Sequence, residues 1–128
     1  MSAEQGTGQV RVRVGLASTP DTLGNLAHCR AALEGLGRDL GFDLRAGERI
    51  VANRDDAEAV AREFADWGAD LVLLLCNSFT PEAGVVLPLA ALPAHLGLWA
   101  LPEPARAGPL QLTALVDLNL FASMLARD

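Results

Sequence analysis

The sequence predicts an α/β fold: a three-layer sandwich in which a four-stranded parallel sheet of order 2-1-3-4 carries helices on both faces. Three observations predict it. Strand-length apolar runs alternate with helical periodicity from one end of the chain to the other, strand-helix four times over, and right-handed crossovers turn that alternation into a parallel sheet. Leu71, Val72, Leu73, Leu74 and Leu75 are consecutive aliphatic residues, too few for a helix and without period-2 alternation, which marks a strand buried on both faces. The chain has 128 residues, 51% hydrophobic and 20% charged, enough for one core and too few for two. Residues 10–128 form that single domain, and residues 1–9 read as a flexible tail.

In chain order, residues 10–16 (VRVRVGL) alternate Val and Arg before turning apolar, as a first strand with one exposed end would. After the loop 17–21 (ASTPD), apolar residues recur from Leu23 at Leu26, Cys29, Leu33, Leu36 and Leu40, three and four apart, so one helical face is buried. Gly41 ends that helix. Phe42, Leu44 and Ala46 alternate as a more exposed second strand running toward Ile50 and Val51. Asp55 and Glu58 have capping-box spacing and open a second helix whose buried face is Ala57, Val60, Ala61, Phe64 and Ala65. Gly68 closes it, and the aliphatic third strand follows.

Thr80, Pro81 and Glu82 read as the cap, first-turn proline and first-turn acid of a third helix. Pro88 is expected to end or kink it, because proline lacks the amide donor and clashes with the preceding turn. Residues 95–101 (HLGLWAL) form the fourth strand. The last helix, residues 110–127, carries Leu110, Leu112, Leu115, Val116, Leu118, Leu120, Phe121, Met124 and Leu125 around most of its circumference. One face of a small sheet needs only one apolar stripe, so the surplus predicts a subunit interface or a neighbouring domain.

The order 2-1-3-4 is the flavodoxin-like, or Rossmann-like, arrangement, and its topological switch point lies between the first and third strands. Open α/β sheets bind ligands there, beyond the carboxyl ends of the strands. Two loops meet at that point, 17–21 and 76–80. Asn77, Ser78 and Thr80, facing Ser18 and Thr19, supply hydrogen-bonding side chains, and a helix N-terminus at Thr80 favours an anion. A phosphate, a carboxylate or a sugar hydroxyl all suit the loop; the alternative is that these residues only cap the helix.

Composition removes several functions. The net charge is −6 and the ten cations are scattered, which argues against nucleic acid. Every cation is an arginine, so a P-loop lysine and Schiff-base chemistry are excluded. Gly35, Gly37 and Gly41 end a helix rather than join a strand to one, and Gly6 and Gly8 precede the first strand, so neither set is a dinucleotide fingerprint. His28 and His95 have no partner at metal-site spacing. No apolar stretch nears the roughly 20 residues of a membrane helix, and residues 1–10 lack the layout of a signal peptide. Cys29 and Cys76 read as reduced thiols of a cytoplasmic protein.

The segment LLLCNSFT, with Cys76 and Asn77, resembles the strand-end Cys-Asn-Thr or Cys-Asn-Ser motif of aspartate/glutamate racemases. That resemblance implies a thiolate at Cys76 removing an α-proton, in enzymes that place two cysteines on opposite sides of the substrate and draw them from two lobes. This chain has one lobe, and Cys29 lies on a buried face, so Cys76 also reads as a small residue finishing a strand.

The segment from His95 onward resembles the N-terminal domain of the L-fucose/L-arabinose isomerase group, whose pattern is Trp-Ala-x-Pro-Glu-Pro, then Gly-Pro-Leu, then a helix beginning Asn-Ser-Leu-Cys-Gly-Leu-Asn. Trp99, Ala100, Pro102, Glu103, Pro104, Gly108, Pro109, Leu110, Leu115, Leu118 and Asn119 match it. Thr113, Ala114, Val116 and Asp117 depart from it. Asp70 and the Phe79-Thr80 pair are similar to the family's strand-loop stretch. The resemblance implies a non-catalytic, flavodoxin-like lobe of an aldose-ketose isomerase, with Mn²⁺ held in later domains. It further implies homo-oligomers, formed through the 110–127 helix or with further domains, and a share in a sugar site. Trp99 and Glu103 join the candidate ligand set on that basis. The other readings are a free-standing module for a sugar or small anion and a proton-transfer enzyme using Cys76.

Overall fold

The computed structural model describes residues 11–22, 24–78, 83–101 and 113–127. Strands β1 (Arg13–Ser18), β2 (Asp43–Ala46), β3 (Leu71–Leu75) and β4 (His95–Trp99) form one sheet, with helices α1 (Leu26–Leu40), α2 (Arg54–Trp67), α3 (Val86–Ala90) and α4 (Thr113–Arg127). The strand order is β2-β1-β3-β4, and every neighbouring pair is parallel. This is the predicted 2-1-3-4 sheet, and β1 and β3 are its central strands.

Strand side chains alternate between faces, and the two faces are covered unequally. Val72, Leu74 and Cys76 point into a core shared with Val60 and Phe64 of α2, Val86 and Leu89 of α3, and Phe121 of α4. Leu16 and Leu75 point the other way, onto Cys29 and Leu33 of α1. Among the described helices one lies on this face and three on the other, and Leu73 on the α1 side is half-buried although its strand reads as apolar throughout.

The stripe expected to bury α1 leaves the sheet after Leu33: Leu36 and Leu40 are 47% and 74% exposed. Gly37 is buried in their place, and a Cβ there would lie 2.9 Å from the Phe42 carbonyl oxygen. The missing side chain lets the helix approach the start of β2. Gly41 ends α1 and Gly68 ends α2 as expected, each at φ 82°, in the left-handed region where a side chain is strained.

Two capping expectations are corrected. Asn53, not Asp55, caps α2: its side chain accepts from Asp56 N at 2.9 Å, and Asp56 Oδ2 accepts from Ala52 N at 3.2 Å. The box is therefore built on Asn53 and Asp56, an Asn-Asp variant two residues upstream of the expected pair. Pro88 does not end its helix, which continues to Ala90. It lies in the first turn of α3, after a 3₁₀ turn at Ala83–Val85, where no intrahelical donor is required.

Helix α4 is described from Thr113 to Arg127, and its expected start at residue 110 lies outside the described residues. Phe121 is fully buried, and Leu118, Met124 and Leu125 pack half-buried on the core of α3 and β4. Leu120 faces outward at 38% exposure. Residues 110–112 and the side chains of Leu115 and Val116 lie outside what is described. No described helix is long and apolar enough to cross a membrane.

Candidate functional site

The carboxyl ends of β1 and β3 are stitched together beyond their last paired residues, Ser18 and Leu75. Thr19 N donates to the Leu75 carbonyl at 3.1 Å, and the Thr19 hydroxyl donates to the same carbonyl at 3.4 Å. That hydroxyl oxygen also accepts from Asn77 N at 2.7 Å. Thr19 thus replaces a backbone group of the ladder with a side chain and fixes the two loops against each other. On the outer side, Val51 N donates to the Ser18 carbonyl at 2.8 Å, while the Ser18 hydroxyl donates to the Thr19 carbonyl at 2.7 Å.

Asn77 bridges the loops in the other direction. Its Nδ2 donates to Asp21 Oδ1 at 2.7 Å, and the same oxygen accepts from Leu26 N at 3.1 Å, which caps α1. Asp21 therefore orients Asn77 and starts the helix together. It is the residue of this cluster that sequence reasoning missed, although an acid ending the loop ASTPD ahead of a helix is the signal that marks it.

Four polar residues end up buried at this junction: Ser18, Thr19, Asn77 and Ser78. Asn77 and Ser78 are only 0% and 4% exposed, yet Asn77 Oδ1 and the Ser78 hydroxyl have no hydrogen-bond partner among the described residues. Buried polar atoms are almost always paired, and each unpaired one costs on the order of 1–3 kcal/mol. They belong to consecutive residues just beyond the carboxyl end of β3, where open α/β sheets bind ligands.

The structure thus brings together Ser18, Thr19, Asn77 and Ser78 and adds Asp21. Trp99 flanks this cluster on the neighbouring strand. It pairs with Leu75 across β3–β4 and packs half-buried in the apolar cluster under α1, and its carbonyl accepts from Cys76 N at 2.7 Å. Thr80 and Glu103, and with them the expected helix cap at 80–82, lie outside the described residues.

The two cysteines belong to opposite faces of the sheet. Cys29 sits in the cluster under α1 and Cys76 in the core of α2, α3 and α4, each 1% exposed. The Cys76 thiol donates to the Leu74 carbonyl at 3.8 Å. Burial, and secondarily the Asp21 carboxylate, push the Cys29 thiol pKa up. Metal chemistry finds no support in the side chains: among the described residues no group of three or more His, Cys, Asp or Glu is placed to hold an ion, and His28 and His95 are both exposed. No protein-family model, curated protein or solved structure matches the chain.

Proposed function

We propose that the chain is a non-catalytic binding lobe of the L-fucose/L-arabinose isomerase-like type, holding a small polar ligand, a sugar or a small anion, between the loops that follow β1 and β3. The observation that carries the binding role is that two buried atoms, Asn77 Oδ1 and Ser78 Oγ, have no partner among the described residues, at the switch point of the sheet. The matching residues Trp99 to Asn119 support the family reading. In it, aldose-ketose isomerisation and its Mn²⁺ belong to other domains, and this lobe contributes binding surface and assembly in the cytoplasm. The outward Leu120 supports assembly through the last helix.

The test is an amide-resolved NMR titration of the purified chain with aldoses, sugar phosphates and small carboxylates. At least one class is expected to shift the amides of Ser18, Thr19, Asn77 and Ser78 in a saturable way, without aldose-ketose interconversion in the sample. A folded chain whose spectrum answers none of them overturns the binding reading. Turnover of an aldose by this chain alone overturns its non-catalytic character.

The free-standing module differs from this reading only in its surroundings. The proton-transfer alternative needs an accessible thiolate at Cys76, and a thiol 1% exposed that donates to a backbone carbonyl lends it nothing.

A further inference from the structure

We propose that two copies of the chain pair through the free edge of β4, antiparallel and about a two-fold axis at Gly97, so that their four-stranded sheets join into one. The proposal goes beyond the binding reading above and depends on neither the ligand nor the family resemblance.

The two edges of the sheet are built differently. β2 carries Asp43 and Arg45, held at 2.8 Å by Arg11 and Glu63, and charges on an edge strand discourage a further strand. β4 reads HLGLW. It holds no acid, lysine, arginine or proline, and its pairing with β3 runs unbroken from His95 to Trp99, without a bulge. An apolar edge lacking all of those devices is a template for another strand, and among the described residues no strand lies beyond it. Its packing is also incomplete, since none of its residues is buried. Leu96 and Leu98 are half-buried on the side of α2, and Trp99 is half-buried on the side of α1.

The direction of the backbone groups selects the register. His95 N donates to the Asp70 carbonyl at 3.0 Å, and the Trp99 carbonyl accepts from Cys76 N at 2.7 Å. His95, Gly97 and Trp99 therefore turn their backbone groups toward β3, and Leu96 and Leu98, the alternate residues, turn theirs to the open edge. An antiparallel pair exchanges both N–H···O bonds at every second residue. With Gly97 opposite the partner copy's Gly97, Leu96 of each copy lies opposite Leu98 of the other, and all the outward groups of the strand are satisfied. The β4 edge is thus complementary to itself, as an isologous two-fold contact requires.

Main-chain groups alone would accept many strands, and the side chains favour a second β4. Leu96 and Leu98 meet as an apolar row on the side of α2. On the other side the Gly97 pair comes to about 4.5 Å between Cα atoms, and no side chain stands at the axis. Leu73 Cδ2 holds that space, since a Cβ on Gly97 would lie 2.8 Å from it. The indole of Trp99 then faces His95 of the other copy and lies diagonal to its glycine, an arrangement in which an aromatic ring covers an edge glycine. The chain's net charge of −6 places no acid on the strand, so like charges do not meet there.

The experiment is amide hydrogen exchange followed by NMR, with mass by light scattering, on the full chain from micromolar to millimolar concentration. The mass should double as concentration rises. The Leu96 and Leu98 amides should then exchange about tenfold or more slowly, while those of His95, Gly97 and Trp99, already turned to β3, change little. Leu96→Pro removes an outward donor and leaves the inward ladder whole, so it should stay folded and monomeric. Leu96→Ala loses the same side chain but keeps the donor, and should still pair. A monomer at every concentration with fast Leu96 and Leu98 amides overturns the proposal and leaves the edge to a strand of another protein. Slow Leu96 and Leu98 amides in a monomer also overturn it, because the edge is then covered from within the chain. A doubled mass with both amides fast overturns it in favour of another surface, such as the outer face of α4. If Leu96→Pro does not fold, exchange in the parent chain decides alone; if it folds and still pairs, the proposal falls.

Discussion

Thr19 is fully buried and ties the two loops through one oxygen, donating to Leu75 O and accepting from Asn77 N. Thr19→Val keeps the shape and strands a buried backbone donor, so it should cost about 1–3 kcal/mol in a urea melt. Thr19→Ser keeps the hydroxyl and should recover most of that loss. If Thr19→Ser is costly and Thr19→Val is not, the methyl packing and not the hydrogen bond holds the loops. Cys29 makes a pH prediction at the same scale. Burial first, and Asp21 second, raise its pKa in the folded chain, while the unfolded thiol ionises at about 8.5. The unfolded state thus sheds the proton first as pH rises, so the stability linked to Cys29 is intact below about 8.5 and is lost as pH climbs from there toward the folded pKa. Melting temperatures measured across that range should fall, and should fall less in Cys29→Ala. Identical slopes for the two proteins would refute the linkage.

Among the elements, α1 shows how far a sequence pattern reaches. Its three-and-four spacing of leucines is a sound reason to expect a helix and the face that starts at Cys29 and Leu33. The spacing says nothing about where the sheet beneath it ends. Leu36 and Leu40 keep the period and still end up exposed, because the last turns approach the start of β2 through Gly37 and the sheet no longer lies under them. Gly37 was legible only as a failed dinucleotide motif, since a close approach is a tertiary fact. The strand order was readable because crossover handedness leaves few topologies, and the switch-point loops followed from it. Asn77 and Ser78 were found by that route. Asp21 was not, because a carboxylate ending a loop has an ordinary role as a helix cap, which it also fills here. Gly37→Ala tests the packing. A Cβ there lies 2.9 Å from a backbone oxygen, which cannot swing aside as a flexible side chain would, so α1 must shift from β2 at about 1–3 kcal/mol, read in the same melt. A neutral result would show that the helix has room to move.

For the whole molecule, the question is what its last helix does for a sheet already covered by α2 and α3. Adjacent residues give opposite answers. Phe121 is fully buried in the larger core, so Phe121→Ala should cost about 3–5 kcal/mol, a large share of the roughly 5–15 kcal/mol that holds a domain of this size together. Leu120 faces away from that core at 38% exposure. Within the chain it has little to lose, and Leu120→Glu should change stability by no more than about 0.5 kcal/mol. If copies assemble through this helix, the same change places a charge in an apolar contact and should shift the protein toward monomer in light scattering across a concentration series. The pair separates two duties that a single substitution would confuse. Loss of stability in Phe121→Ala with no change of mass fraction in Leu120→Glu would make α4 a core element alone. Dissociation in Leu120→Glu at an unaltered melting point would make its outer face the assembly surface of the lobe.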